Sequence, residues 1–172
     1  QGLVICKARL APMKTVSIPR LELMGVVVGT RLARFVERQL DLPIESITLW
    51  TDSKCVLHWL HSTKQLKVFV KNRIAEIREN GVSCRYVPTA INPADVPTKG
   101  ATCEQLAAMT LWWQGPPFLS QPADQWPENE FLAAEPDECQ EEYVAVRTDV
   151  CATVHQTEPV LDPSKFERWG KL

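Results

Sequence analysis

Two runs in this chain read as β-strands: Ile44 to Thr51 (Ile-Glu-Ser-Ile-Thr-Leu-Trp-Thr) and Val82 to Val87 (Val-Ser-Cys-Arg-Tyr-Val). What lies between them constrains the fold most. Ser53 can cap a short helix holding Val56, Leu57 and Leu60, and a second helix covers about Val68–Glu79 before Asn80-Gly81 stops it. Two strands with helices between them read as a right-handed crossover onto a parallel pair. That places the chain in the α/β class and puts Asp52-Ser53 at the C-terminal tip of the first strand.

The remaining segments follow the same rules. Residues 3–10 alternate from Cys6 onward, with Cys6, Ala8 and Leu10 opposite Lys7 and Arg9, which reads as a strand with one buried face. A helix follows, with Ser17 as N-cap, Pro19 in the first turn and an end near Leu40. Its apolar stripe reads as Leu21, Met24, Val28, Leu32, Phe35 and Val36. Thr89 to Pro93 is loop, and Asp95 precedes a turn ending at Gly100. Thr102 opens a final helix through Trp112, stopped by Gly115-Pro116-Pro117. Residues 118–158 carry prolines, a dense Glu/Asp run and little periodicity, with Val144, Val146 and Val150 hinting at one short strand.

Composition sharpens that division. Of 172 residues, 45% are hydrophobic and 23% charged, which excludes a wholly disordered chain. The formal charge of -2 averages two unlike parts. Residues 1–115 carry 15 Lys+Arg and 9 Asp+Glu, a net +6; residues 116–172 carry 4 and 12, a net -8. No apolar run is long enough to span a membrane. None of the six cysteines forms a Cys-x-x-Cys pair, and four sit in apolar surroundings, so buried free thiols of an intracellular protein, cytoplasmic or nuclear, are expected. Cys55, His58 and His61 step by three along a helix and cannot all face one ion, so no zinc is expected.

Three acids occupy unusual places: Glu22 beside a helix's apolar stripe, Asp52 at a strand tip and Asp95 at a loop-to-helix junction. Ligands of open α/β sheets collect at the carboxyl ends of strands. Carboxylates gathered there repel one another unless a hard cation such as Mg²⁺ sits among them. Each acid also has an ordinary reading, as helix cap, turn former or dipole complement.

Five motifs occur in order: Ile18-Pro19-Arg20-Leu21-Glu22-Leu23, Trp50-Thr51-Asp52-Ser53, Tyr86-Val87-Pro88-Thr89, Asn92-Pro93-Ala94-Asp95 and Leu111-Trp112-Trp113-Gln114-Gly115-Pro116. In combination they resemble the RNase H region of a BEL/Pao-type retrotransposon polyprotein. The resemblance covers about residues 1–117, and residues 118–172 are similar to the acidic connector that leads toward integrase. It implies an RNase H-like mixed sheet with flanking helices, and hydrolysis of the RNA strand in an RNA·DNA hybrid by two Mg²⁺ (or Mn²⁺). It implies that Glu22, Asp52 and Asp95 are the catalytic, metal-binding acids, and that the partners are the hybrid and the reverse transcriptase and integrase regions of the polyprotein, with no membrane. The family's first acid lies on a first strand that has no counterpart in this sequence, so little or no nuclease activity is expected of the chain by itself.

Lys64, Lys67, Lys71 and Arg78 fall near one stripe and could neutralise hybrid phosphates, or form a solvated helix face. Trp112 and Trp113 read as packing residues. Two functional classes stay open: a metal-dependent nuclease domain, and a non-catalytic retroelement remnant or nucleic-acid-binding module.

Overall fold

A computed structural model describes residues 2–13, 16–127 and 135–145. Its centre is a parallel pair of strands, β1 (Thr48–Thr51) and β2 (Ser83–Tyr86), in the register Thr48↔Ser83, Leu49↔Cys84, Trp50↔Arg85 and Thr51↔Tyr86. Between them run α2 (Lys54–His61) and α3 (Val68–Glu79), the crossover expected from the sequence. Before them lies α1 (Ile18–Gln39), with Ser17 at the N-cap position and Pro19 in its first turn.

The three long helices supply most of the core. Leu23, Val26 and Val27 of α1 meet Cys55, Val56 and Trp59 of α2 and Val70, Ile74 and Ile77 of α3. Leu49 packs against this cluster from the sheet and approaches Gly29 of α1, where an added Cβ would lie 3.6 Å from its Cδ2. The next side chain along β1 points to the opposite face, as pleating requires. There Trp50 meets Phe118 at 4.7 Å and Trp126 at 5.6 Å between ring centroids, with the Arg85 guanidinium over both indoles. The stretch just past Pro116 therefore covers the second face of the strand pair.

Charged contacts tie the helices at their rims. Arg31 of α1 grips Glu76 of α3 through two bonds of 2.5 and 2.9 Å. Arg34 donates to the carbonyl of Asn80, where α3 ends. Arg78 donates to the carbonyls of Trp59, Leu60 and Ser62, satisfying groups that the end of α2 leaves open.

Several expectations need correction. Residues 3–10 join no ladder among the described residues, although Leu3 N donates to the Trp113 carbonyl at 2.8 Å. Alternation creates a face, but a strand also needs a partner strand, and among the described residues β1 pairs with β2 alone. Leu10 is 99% exposed, and Cys6, like Cys103, is an exposed free thiol. The stripe assigned to α1 was the wrong one. Leu23, Val26, Val27 and Thr30 are buried, whereas Leu21, Met24, Val28 and Leu32 are half-buried and Phe35 is 47% exposed. The helix is apolar on two sides, so periodicity alone could not choose between them.

The final helix is broken into α5 (Cys103–Ala108) and α6 (Thr110–Gln114), because Met109 takes an extended conformation. Thr102 does open α5, in a reciprocal capping box with Gln105. Trp113 is 46% exposed and donates to the Leu106 carbonyl across that break. A short α4 (Val96–Lys99) precedes these helices.

Beyond them, α7 (Asp137–Gln140) belongs to an acidic segment seated on the core, and Tyr143 forms an isolated antiparallel bridge with Leu66. Val144 follows that bridge, while Val146 and Val150 lie outside the described residues. No helix among the described residues is long and apolar enough to cross a membrane.

The buried face of α1 can be checked by paired truncations. Leu23→Ala should cost about 2–5 kcal/mol of unfolding free energy, because it opens a cavity at a fully buried site. Phe35→Ala should cost less than about 1 kcal/mol. Denaturant titrations that gave the reverse order would show the helix rotated.

Candidate functional site

The end of β1 is built around Ser53, which is 3% exposed. Its backbone N–H donates to Thr51 Oγ1 at 3.2 Å, and its hydroxyl oxygen accepts from Val56 N at 3.2 Å, capping α2. The same hydroxyl donates its proton to Glu22 Oε2 at 2.5 Å. One side chain thus joins the strand tip, the start of α2 and the second turn of α1. Because Ser53 serves as the cap, Asp52 does not have to, and its carboxylate stands half-buried beside the pair.

Glu22 shows the electrostatic result. The residue is exposed along α1, yet its carboxylate end lies against the start of α2. Loss of solvent around it is the largest effect and raises its pKa above the ordinary glutamate value. The Ser53 hydrogen bond opposes this rise, while the negative charges of Asp52 and Glu138 add to it. Glu22 and Asp52 are therefore close enough to repel each other.

Asp95 is placed differently. It ends a short 3₁₀ turn (Pro93–Asp95) and precedes α4, and its carboxylate reaches Lys99 Nζ at 3.4 Å. The turn is capped by Asn92, whose side chain accepts from Ala94 N, so Asp95 is not the turn former. Asp95 is not among the charges that act on Glu22. Among the described residues no group of three or more His, Cys, Asp or Glu side chains is arranged to hold a metal ion.

Glu22 and Asp52 offer hard oxygen donors, and a cation that keeps most of its waters can sit on two carboxylates. These are the two residues that could hold such a cation together.

The four basic positions separate. Arg78 is occupied by the three carbonyls at the end of α2, which makes it a structural residue. Lys64 Nζ binds Glu135 at 2.7 Å and lies over the Tyr143 ring. Lys67 holds the N-cap position of α3, and its N–H donates to the Glu142 carbonyl at 2.8 Å. Lys71 is exposed and lines a cleft of 430 Å³ with His61, Lys64 and Arg78.

Two residues had no role in the sequence reading. Arg20, inside the first motif, grips Glu142 through two bonds of 2.6 and 2.9 Å. Glu138 faces the Glu22 carboxylate electrostatically from a segment read as linker. The density of acids in residues 135–145 is the available signal, in a stretch whose sequence reads as linker with local docking at most.

The family model described as Pao retrotransposon-like RNaseH-like domain matches residues 1–53, so that part of the chain is similar to such a domain. The match contains Arg20, Glu22, Asp52 and Ser53, but not Asp95. No curated protein and no solved structure matches the chain.

The raised pKa of Glu22 has a defined sign. The folded value lies above the unfolded one, so its contribution to stability is fully present below the unfolded pKa and is lost as pH rises through the folded pKa. Glu22→Gln, which can still accept from Ser53, should therefore melt higher than the unsubstituted chain at about pH 7, and the gap should close below about pH 4.3. Equal melting temperatures across that range would remove the claimed rise in the Glu22 pKa.

Proposed function

We propose that the chain acts on nucleic acid as an RNase H-like region of a Pao-type retrotransposon polyprotein, with the RNA·DNA hybrid as ligand and Mg²⁺ or Mn²⁺ as cofactor. One observation carries the reading. Glu22 and Asp52 are held together at the carboxyl end of β1 by Ser53, and all three fall inside the family match.

In this reading Glu22 and Asp52 hold a cation. Ser53 fixes the rotamer of Glu22 and leaves one of its oxygens for the ion. Asp52 shares the charge, so binding relieves the repulsion that adds to the effect of burial on Glu22's proton affinity. When bound, such an ion supplies Lewis-acid stabilisation of a phosphoryl oxygen and lowers the pKa of a coordinated water. Asp95 is the third acid of the proposal, and its carboxylate is paired with Lys99. Two gathered carboxylates favour binding over fast turnover. The non-catalytic alternative, a module that holds nucleic acid without cutting it, rests on the absence of a three-acid group among the described residues.

Two measurements test this. Calorimetric titration with Mg²⁺ should show one weak site, and Asp52→Asn should weaken it at least about tenfold, as loss of a direct charged ligand does. Incubation with labelled hybrid in Mg²⁺ or Mn²⁺ should give little cleavage, all of it lost in Asp52→Asn. Failure to bind metal would overturn the site, and robust cleavage that survives the substitution would overturn the assignment of Asp52.

A further inference from the structure

Residues 135–145 (Glu-Pro-Asp-Glu-Cys-Gln-Glu-Glu-Tyr-Val-Ala) hold five acids and no base, and they lie on the +6 part of the chain. Their contacts fall on cations. Glu142, whose side chain is 7% exposed, takes both donors of Arg20 at the start of α1. Glu135 takes Lys64 Nζ at 2.7 Å while accepting from the Tyr143 hydroxyl, and Tyr143 in turn lies under the Lys64 ammonium. Backbone bonds pin the segment on either side of these pairs: Lys67 N to Glu142 O and Val144 N to Gln65 O, both 2.8 Å.

Apolar anchoring is narrower. It consists mainly of Cys139, buried against Cys55 and accepting from Trp59 Nε1 through its carbonyl, and of part of Tyr143. Beside the segment opens the 430 Å³ cleft in which Lys64 faces Lys71 and His61. Lys64 thus belongs both to the covered surface and to the open cleft.

We propose that the surface formed by Arg20, Lys64, Lys67 and Lys71 is a docking surface for nucleic-acid backbone phosphates, and that residues 135–145 are its resident competitor, occupying two of its cations with carboxylates. The inference rests on the nucleic-acid reading given above and adds a location and a regulator to it. A bidentate guanidinium and a lysine beside a cleft suit phosphate oxygens as well as they suit carboxylates. The Lys64 side chain is 58% exposed, so its pair with Glu135 is screened and exchangeable. A polyanion that contacts several cations at once displaces a short acidic segment by mass action, and releases its own counterions as it does so.

The test uses the whole 172-residue chain, a fluorescently labelled RNA·DNA hybrid and EDTA, so that binding is read without cleavage. The E135Q/E142Q double variant should bind about tenfold tighter than the unsubstituted chain at low salt, and the slope of log K against log salt should steepen by about 2, one for each freed cation. The D137N/E141Q double variant changes net charge equally, but neither residue makes an ion pair among the described residues, so its affinity should change less than about twofold. Equal tightening in both variants would overturn the proposal, since net charge alone would then account for the effect. Binding by the unsubstituted chain that E135Q/E142Q leaves unchanged would also overturn it, with the nucleic-acid reading intact. No binding by any of the three at low salt would remove that reading and the proposal together. A further measurement needs no variant: hydrogen exchange at the Lys67 and Val144 amides should speed up on adding hybrid, and unchanged or slower exchange would count against displacement.

Discussion

The hydroxyl of Ser53 is the point on which the site depends. It accepts from Val56 N and so starts α2, and it donates to Glu22 and so fixes where α1 crosses the strand tip. A single oxygen can do both because a hydroxyl has one proton to give and two lone pairs to receive. Alanine at this position would leave the first turn of α2 short of a partner and Glu22 without its hydrogen bond, at a buried junction where unmet polar groups are costly. The helices elsewhere in the core are held by ordinary apolar contact; this junction is held by directed bonds.

Around it, charge is distributed in layers. Exposed pairs such as Arg31–Glu76 join helices at the rim, where such contacts contribute little individually. Arg20 is different, because its partner Glu142 is nearly buried and its guanidinium also lies 4.9 Å from the Phe69 ring, which carries Arg73 at 3.5 Å. Two guanidiniums against one aromatic ring would repel in isolation. The carboxylate of Glu142 offsets that repulsion, which gives the acidic segment an electrostatic reason to sit where it does.

The sequence disclosed the parts governed by short-range rules. The strand-to-helix order, the parallel pairing, the bounds of α3 and the cap at Ser53 are all local signals, and the structure agrees with them. It did not disclose which side of α1 is buried, because Leu21, Val28 and Leu32 compete with Leu23, Val26 and Val27 for the same inference. The break at Met109 was invisible because Ala, Met and Thr there carry no strong stop signal. Of the site, the nearness of Glu22 and Asp52 was legible once the fold class was known. The pairing of Asp95 with Lys99, four residues on, is a surface contact that no motif signals. The role of Arg20 depended on a residue 122 positions away.

The register of the two strands sets an order of assembly. Each of its four pairs joins residues 35 positions apart, with α2 and α3 inside the loop so closed. Closing a loop of that length carries an entropic cost before any ladder bond compensates it. The helices, whose bonds are local, can form first and shorten the effective loop by folding inside it. The strand tip that carries Asp52 and Ser53 is then completed late, by a pairing that the helices make possible. Until that pairing forms, the Thr51 carbonyl beside the site lacks the Val87 amide that bonds to it in the folded chain.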